Sequence, residues 1–230
     1  MVSELGKEHG YDDIQSIGYR LVGDIFLLLE APSKACENFQ IGVNFGSNDF
    51  WGLDNLIRLG YAQIRNGQTE IGMQNLQRGI DLAKSGGLGI IEILGNQFLC
   101  YASTYLGDWE QVRQIAYPLE RQARKRSMPL VQVMSQVTQG ILESVIGKTS
   151  ISIEQLQMSV DTIYELEYPI IELRTLIRLI QAKQAYGQET NAQVQRVYEI
   201  LDCLEQNAHP EEISQVLIEF RQKLLKPISP

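Results

Sequence analysis

Few residues of this chain have the types and spacing that chemistry needs. Gly147-Lys148-Thr149 matches the end of a phosphate-binding loop, in which backbone N–H groups between a strand and a helix cradle phosphate. That loop also needs a glycine five residues before Gly147, where the chain has Leu142, and the segment leading to it has helical periodicity. Gly86-Gly87-Leu88-Gly89 is glycine-rich, but a dinucleotide fingerprint requires a preceding strand and a different glycine spacing, so it reads as a turn. The two histidines, His9 and His209, stand beside Gly10 and Pro210 with no cysteine near either. They read as exposed residues at helix ends rather than metal ligands or a catalytic base.

The three cysteines, Cys36, Cys100 and Cys203, are far apart in apolar helical sequence and read as reduced, buried thiols of a cytoplasmic protein. Arg121, Arg124, Lys125 and Arg126 form a basic cluster just before Pro129, where cations offset the dipole at a helix C-terminus. With two histidines and no paired-carboxylate motif, no catalytic constellation is visible, and the chain is expected to be no enzyme and to use no cofactor or metal.

Composition narrows the partners. The 230 residues are 44% hydrophobic and 21% charged, a globular balance. A net charge of −8 repels a phosphate backbone, so direct nucleic-acid binding is not expected. No run of about 18 apolar residues suggests a membrane span, and Glu4, Lys7 and Glu8 within the first ten residues argue against a secretory signal.

The elements that hold these residues follow a beat of forty. Gly67, Gly107, Gly147 and Gly187 are each forty residues apart, preceded by an apolar periodic run and followed by a second one. Glycine tolerates the left-handed conformation that ends a helix, so each is a C-cap at a tight turn. Gly89, Pro129 and Pro169, with Pro210 one residue late, form a second ladder of the same period, and proline suits the first turn of a helix. Two ladders in phase define units of helix A, turn, helix B, turn. Helix A is predicted at 49–66, 89–106, 129–146 and 169–186, and helix B at 68–85, 108–127, 150–167 and 190–207. The first unit is looser: helix A from 13 to 30, and helix B from Pro32 to about Phe45. The strand-like run Ile25 to Leu29 falls inside a longer helical stretch. The fold class is therefore all-α, with repeats at 11–46, 49–86, 89–127, 129–167 and 169–208 and a terminal helix at 210–226. Helix pairs this short stack on their neighbours as a solenoid, and no linker divides residues 1–230, which read as one domain.

The second unit resembles a tetratricopeptide repeat, on Leu59, Gly60, Gln63, Gly72, Leu76 and Gly79. The third offers Leu99, Cys100, Ser103, Val112, Ala116 and Leu119, and the first Ile17, Gly18, Leu21, Ala35 and Phe39. Units four and five keep the breakers but blur the pattern, with Val194, Tyr198 and Leu201 the best match in the fifth. Small residues let helices approach, and bulky ones fill the space between units. The unit is longer than the family's usual 34 or so, similar to the arms behind nucleotide-binding switch domains in bacterial regulators of the maltose-regulon-activator type. HEAT-like repeats, of similar period, are the competing assignment.

The resemblance implies a right-handed α-solenoid of about five repeats whose A helices line a concave face. In that register the partner-binding positions are Tyr19, Ile57, Tyr61, Arg65, Gln97, Tyr101, Tyr105, Ile141 and Arg174. Tyr19, Tyr61 and Tyr101 make a near-periodic ladder suited to an interface; the competing reading is packing between neighbouring A helices. The positions that clamp a C-terminal carboxylate in some relatives hold Gln15, Tyr19, Ile57 and Tyr61 here, so an apolar or helical peptide fits better. The expected function is a protein-interaction scaffold or regulatory arm that binds a protein or peptide, with no membrane partner. An effector-sensing arm that binds a small ligand in a closed pocket is the alternative. Met1 to His9 reads as a helix B without its partner, and Pro210 to Lys226 as a helix A without one, which allows self-association through open ends.

Overall fold

The computed structural model describes residues 11–46, 50–207 and 211–225. The chain start, His9 and His209 lie outside them, and so does the end of the predicted terminal helix. Glycine and proline divide the described residues into eleven helices with short connections and no strand. These are α1 (Asp12–Leu28), α2 (Pro32–Gly46), α3 (Phe50–Arg65), α4 (Thr69–Ser85), α5 (Gly89–Leu106), α6 (Trp109–Lys125), α7 (Pro129–Val145), α8 (Thr149–Glu165), α9 (Pro169–Ala185), α10 (Asn191–Asn207) and α11 (Glu211–Leu225). Ile25 to Leu29 closes α1, as expected from the longer pattern around it.

Two kinds of turn join them. Gly67, Gly107, Gly147 and Gly187 all have positive φ, from +71° to +84°. The residue after each donates its N–H to the carbonyl five residues earlier, Gln68 to Gln63 at 2.8 Å and Lys148 to Glu143 at 2.8 Å among them. This bond satisfies a carbonyl that the helix end leaves open. The other turns close in the same way, Leu88 to Ala83, Met128 to Ala123 and Tyr168 to Ile163. Gly87 takes the left-handed position in the first, but Ser127 (φ +53°) and Glu167 (φ +58°) take it in the others, and Glu30 (φ +60°) takes it between α1 and α2. Gly147 thus follows a helix and serves a turn, not a phosphate loop. Arg124 and Lys125 lie in the last turn of α6, where the dipole argument puts them.

The helices form two compact units, residues 1–111 and 112–230. In the first, successive helices pack in pairs, and α3 also touches both α1 and α5, so these three make one layer with α2 and α4 as the second. Phe26, Phe39, Ile57, Ile64, Leu76 and Ile91 fill the space between, each almost fully buried. Backbones come into direct contact between α3 and α4. A Cβ on Gly60 would lie 2.6 Å from the Gly72 carbonyl oxygen, and one on Gly72 would lie 2.5 Å from the Gly60 oxygen. Two backbones meet there because neither residue has a side chain. In the second unit α7 to α11 also pack in succession, and α7 touches α9. Gly140, Ser152, Leu156 and Ser159 line the α7–α8 contact, an arrangement of small residues around one leucine that the blurred sequence of this region did not disclose. No described helix is long and apolar enough to cross a membrane.

The cysteines need a correction. Cys100 is buried, but Cys36 is half-buried and Cys203 is exposed. On α10 the inward stripe is Val197, Ile200 and Leu201, and Cys203, two residues past Leu201, points away from it.

Candidate functional site

The layer of α1, α3 and α5 carries a connected set of polar and aromatic side chains. Leu53, Leu56, Ile57 and Leu59 give α3 an apolar face toward its neighbours, and Asp54 and Arg58 interrupt it one helical turn apart. Asp54 is 2% exposed, so its charge needs partners. Arg58 provides one, 3.1 Å from Asp54 and 2.6 Å from Asp24 on α1. Arg20 closes the ring, 3.1 Å from Asp24 and 3.5 Å from Asp54. Each carboxylate thus faces both guanidiniums and each guanidinium both carboxylates. Burial pushes the Asp24 carboxyl up against the pull of Arg58 and Arg20. Burial also works against the Arg58 charge, but Asp24 and Asp54 outweigh it and hold the guanidinium above its ordinary value. Such a network tolerates rearrangement poorly, because losing one partner of a buried pair costs about 3–5 kcal/mol.

Beside the ion pairs lies a three-ring cluster. Tyr61 is 5.6 Å from Phe98 and 5.9 Å from Tyr101, and Phe98 and Tyr101 meet edge to face at 6.0 Å. A cation flanks it on either side. Arg58 stands over Phe98 at 4.8 Å, and Arg65 stands 5.0 Å from the Tyr105 ring and 6.0 Å from that of Tyr61. Arg65 also donates a hydrogen bond to the Tyr61 hydroxyl at 3.3 Å. A polar knot holds the layer from below: Asn55 donates to the Ser16 carbonyl and hydroxyl at 3.2 and 3.0 Å, and Ser16 donates to the Gly42 carbonyl at 2.9 Å.

The predicted partner-binding residues divide. Arg65, Tyr101 and Tyr105 come together at the surface of this layer, and Tyr105 is 53% exposed. Ile57, with no accessible surface, and Gln97, at 2%, are interior residues. Ile57 lies in the space that a Cβ on Gly79 or Gly95 would occupy, so packing accounts for it. Tyr61, at 7% exposed, is covered by Phe98 and Tyr101. For Tyr61 the structure favours packing between neighbouring helices over an open interface. Tyr19 stacks on Phe45 of α2 at 5.9 Å, outside the ring cluster. Ile141 and Arg174 belong to the second unit, on α7 and α9, each half-buried.

Sequence reasoning missed Arg20, Asp24, Asp54, Arg58 and Phe98. The available signal was the charged pair Asp54 and Arg58 set in the apolar face of a helix otherwise fit for a core. In the second unit the buried acids are likewise engaged: Glu172 accepts two bonds from Arg196 at 2.8 and 3.1 Å, and Glu143 accepts from the Tyr117 hydroxyl at 2.8 Å. Among the described residues no group of acidic, histidine or cysteine side chains could hold a metal ion. The depression bounded by Gln74, Gln77, Arg78, Asp81, Leu82 and Ser85 draws every one of these residues from α4 and is an open surface feature. No protein-family model matches this chain, and no curated protein matches it either.

Proposed function

We propose that the helix pairs are copies of one right-handed, tetratricopeptide-like repeat of about forty residues, and that the α1–α3–α5 layer of the first unit binds a segment of a partner protein. Support for the repeat comes from helix starts at Thr69, Trp109 and Thr149 and at Gly89, Pro129 and Pro169. The left-handed residues Gly87, Ser127 and Glu167 keep the same interval. Binding rests on one observation: the Arg65 guanidinium bridges the packed ring cluster, through Tyr61, to an exposed tyrosine, Tyr105. Tyrosine and arginine anchors held in place before contact are what energetic centres of interfaces are made of. In this reading the chain is a non-catalytic cytoplasmic scaffold, or the regulatory arm of a larger bacterial regulator, and its ligand is protein rather than nucleic acid.

The test is a quantitative pull-down from bacterial lysate with wild type, Tyr105→Ser and Tyr186→Ser, each checked for helicity by circular dichroism. Tyr186 is 58% exposed and lies in the second unit, so it controls for loss of any surface tyrosine. The expected result is a partner held by wild type and Tyr186→Ser and lost by folded Tyr105→Ser. Equal retention by all three would overturn the assignment of the face.

A further inference from the structure

Arg58 and Arg65 lie on one side of α3, two helical turns apart, yet their surroundings differ. Arg58 is paired with two carboxylates, Asp24 at 2.6 Å and Asp54 at 3.1 Å. Arg65 donates its one hydrogen bond to a neutral phenol, and its nearest carboxylate oxygen, on Glu30, is 3.9 Å away. That separation is too long for a hydrogen bond, and the Glu30 side chain is 50% exposed. Arg65 itself is not loose. Its guanidinium rests against the Tyr61 and Tyr105 rings, and its side chain is only 13% exposed. Ring contact does not use a guanidinium's edge donors, so those not turned to the Tyr61 hydroxyl remain available in the planar fork that matches a carboxylate. Beside that fork stands an exposed apolar surface, the Tyr105 ring, 53% exposed.

We propose that Arg65 is an anion anchor, which takes an Asp or Glu side chain of an acidic peptide segment while the neighbouring apolar residue of that segment rests on Tyr105. This rests on the protein-binding reading above and gives the ligand a chemistry. Glu30 is the internal stand-in that the incoming carboxylate displaces. The argument is charge complementarity at close range. The chain as a whole carries −8, but that repulsion is screened beyond about 8 Å at physiological salt, whereas a bidentate contact with a preorganised guanidinium is not. An uncharged apolar segment would use Tyr105 and leave the fork empty.

The test is a fluorescence-anisotropy titration at physiological salt with two labelled probes, a peptide of alternating Leu and Glu and the same peptide with Gln for Glu. Proteins are wild type, Arg65→Gln and Glu30→Gln, each checked by circular dichroism. Wild type should bind the acidic probe about tenfold tighter than the neutral one, as one charge-assisted pair implies. Arg65→Gln should erase the difference, and Glu30→Gln should tighten the acidic probe several-fold while leaving the neutral one unchanged. Equal binding of both probes to wild type would overturn the anchor and leave the binding face standing. Acidic-probe binding unaffected in Arg65→Gln would place the anion elsewhere and overturn it as well. No binding of either probe also overturns it; the face itself is then judged by the Tyr105 pull-down.

Discussion

Gly60→Ala is the sharpest probe of how the first unit is held together. In an open helix this change stabilises by about 1 kcal/mol, because alanine is the better helix former. Here the added methyl would lie 2.6 Å from both the Gly72 carbonyl oxygen and the Leu76 nitrogen, and 2.9 Å from the Leu76 Cβ. Those are backbone atoms, or one bond from it, and no rotamer change relieves them. The helices must separate, at an overpacking cost of about 1–3 kcal/mol, and the separation also thins the contacts of Ile64 and Leu76. A clash with backbone atoms belongs at the upper end of that range, about 2–3 kcal/mol, so after the propensity gain a net loss of about 1–2 kcal/mol remains. Gly140→Ala is the contrast. Its nearest neighbours are Leu156 side-chain carbons at 3.1 and 3.3 Å, which can turn aside, so the propensity gain should survive. Urea unfolding separates the two units conveniently: both tryptophans, Trp51 and Trp109, fall within residues 1–111. Their fluorescence therefore follows the first unit, while circular dichroism follows both. With a slope of about 1–3 kcal/mol per molar urea, Gly60→Ala should lower the fluorescence midpoint by roughly 0.5–1 M. Gly72→Ala added to it should cost less than it does alone, since the helices are already apart. A Gly60→Ala midpoint at or above wild type would refute the backbone contact.

Three further outcomes are expected. Ser127→Gly and Glu167→Gly, both exposed and both at positive φ, should each stabilise by about 0.5–1 kcal/mol, seen as higher melting temperatures; unchanged or lower values would count against the left-handed assignment. Asp54→Asn should destabilise the first unit by about 3 kcal/mol, because Arg20 and Arg58 then share one carboxylate, and tryptophan fluorescence in urea would register it. Native alkylation by iodoacetamide at pH 8 should modify Cys203 first, since Cys100 is buried and burial together with Glu37 pushes the Cys36 thiol up to about 11. Cys36 labelling should then rise about tenfold per pH unit, as thiolate supply dictates. Mass spectrometry finding Cys36 modified as fast as Cys203 at pH 8 would contradict this.

The helices were legible because Gly67, Gly107, Gly147, Pro129 and Pro169 act directly on the backbone: each restricts or frees φ whatever its neighbours are. Ser127 and Glu167 were not, since nothing in their side chains asks for positive φ; the bond from the next residue to the carbonyl five back imposes it. Helical periodicity put Tyr61 on the right side of α3 but said nothing of depth, and Phe98 and Tyr101, about forty residues away, decide that. The ion-pair ring was hidden for a similar reason. Arg20 with Asp24 and Asp54 with Arg58 each look like a local pair on a solvated helix, worth a few tenths of a kcal/mol. Only the meeting of α1 and α3 turns two local pairs into a crossed set of four. Register put Arg65 and Tyr105 on successive A helices, where their side chains meet, whereas the contrast between Arg65 and Arg58 depends on distances that no spacing encodes.

The glycine turns bear on how this protein could be built upon. No atom outside the immediate chain lies within 4 Å of the Cβ position at Gly67, Gly147 or Gly187, so these corners face empty space. The connection after Gly187 is the most generous, with Gln188, Glu189 and Thr190 preceding α10. Lengthening a connection costs little, about 0.6 kcal/mol for each doubling. An epitope or reporter peptide grafted between Gln188 and Glu189 would extend outward from a corner and displace no packed side chain. That site offers a handle for immobilising or imaging the protein at a point outside the unit that carries Arg65 and Tyr105.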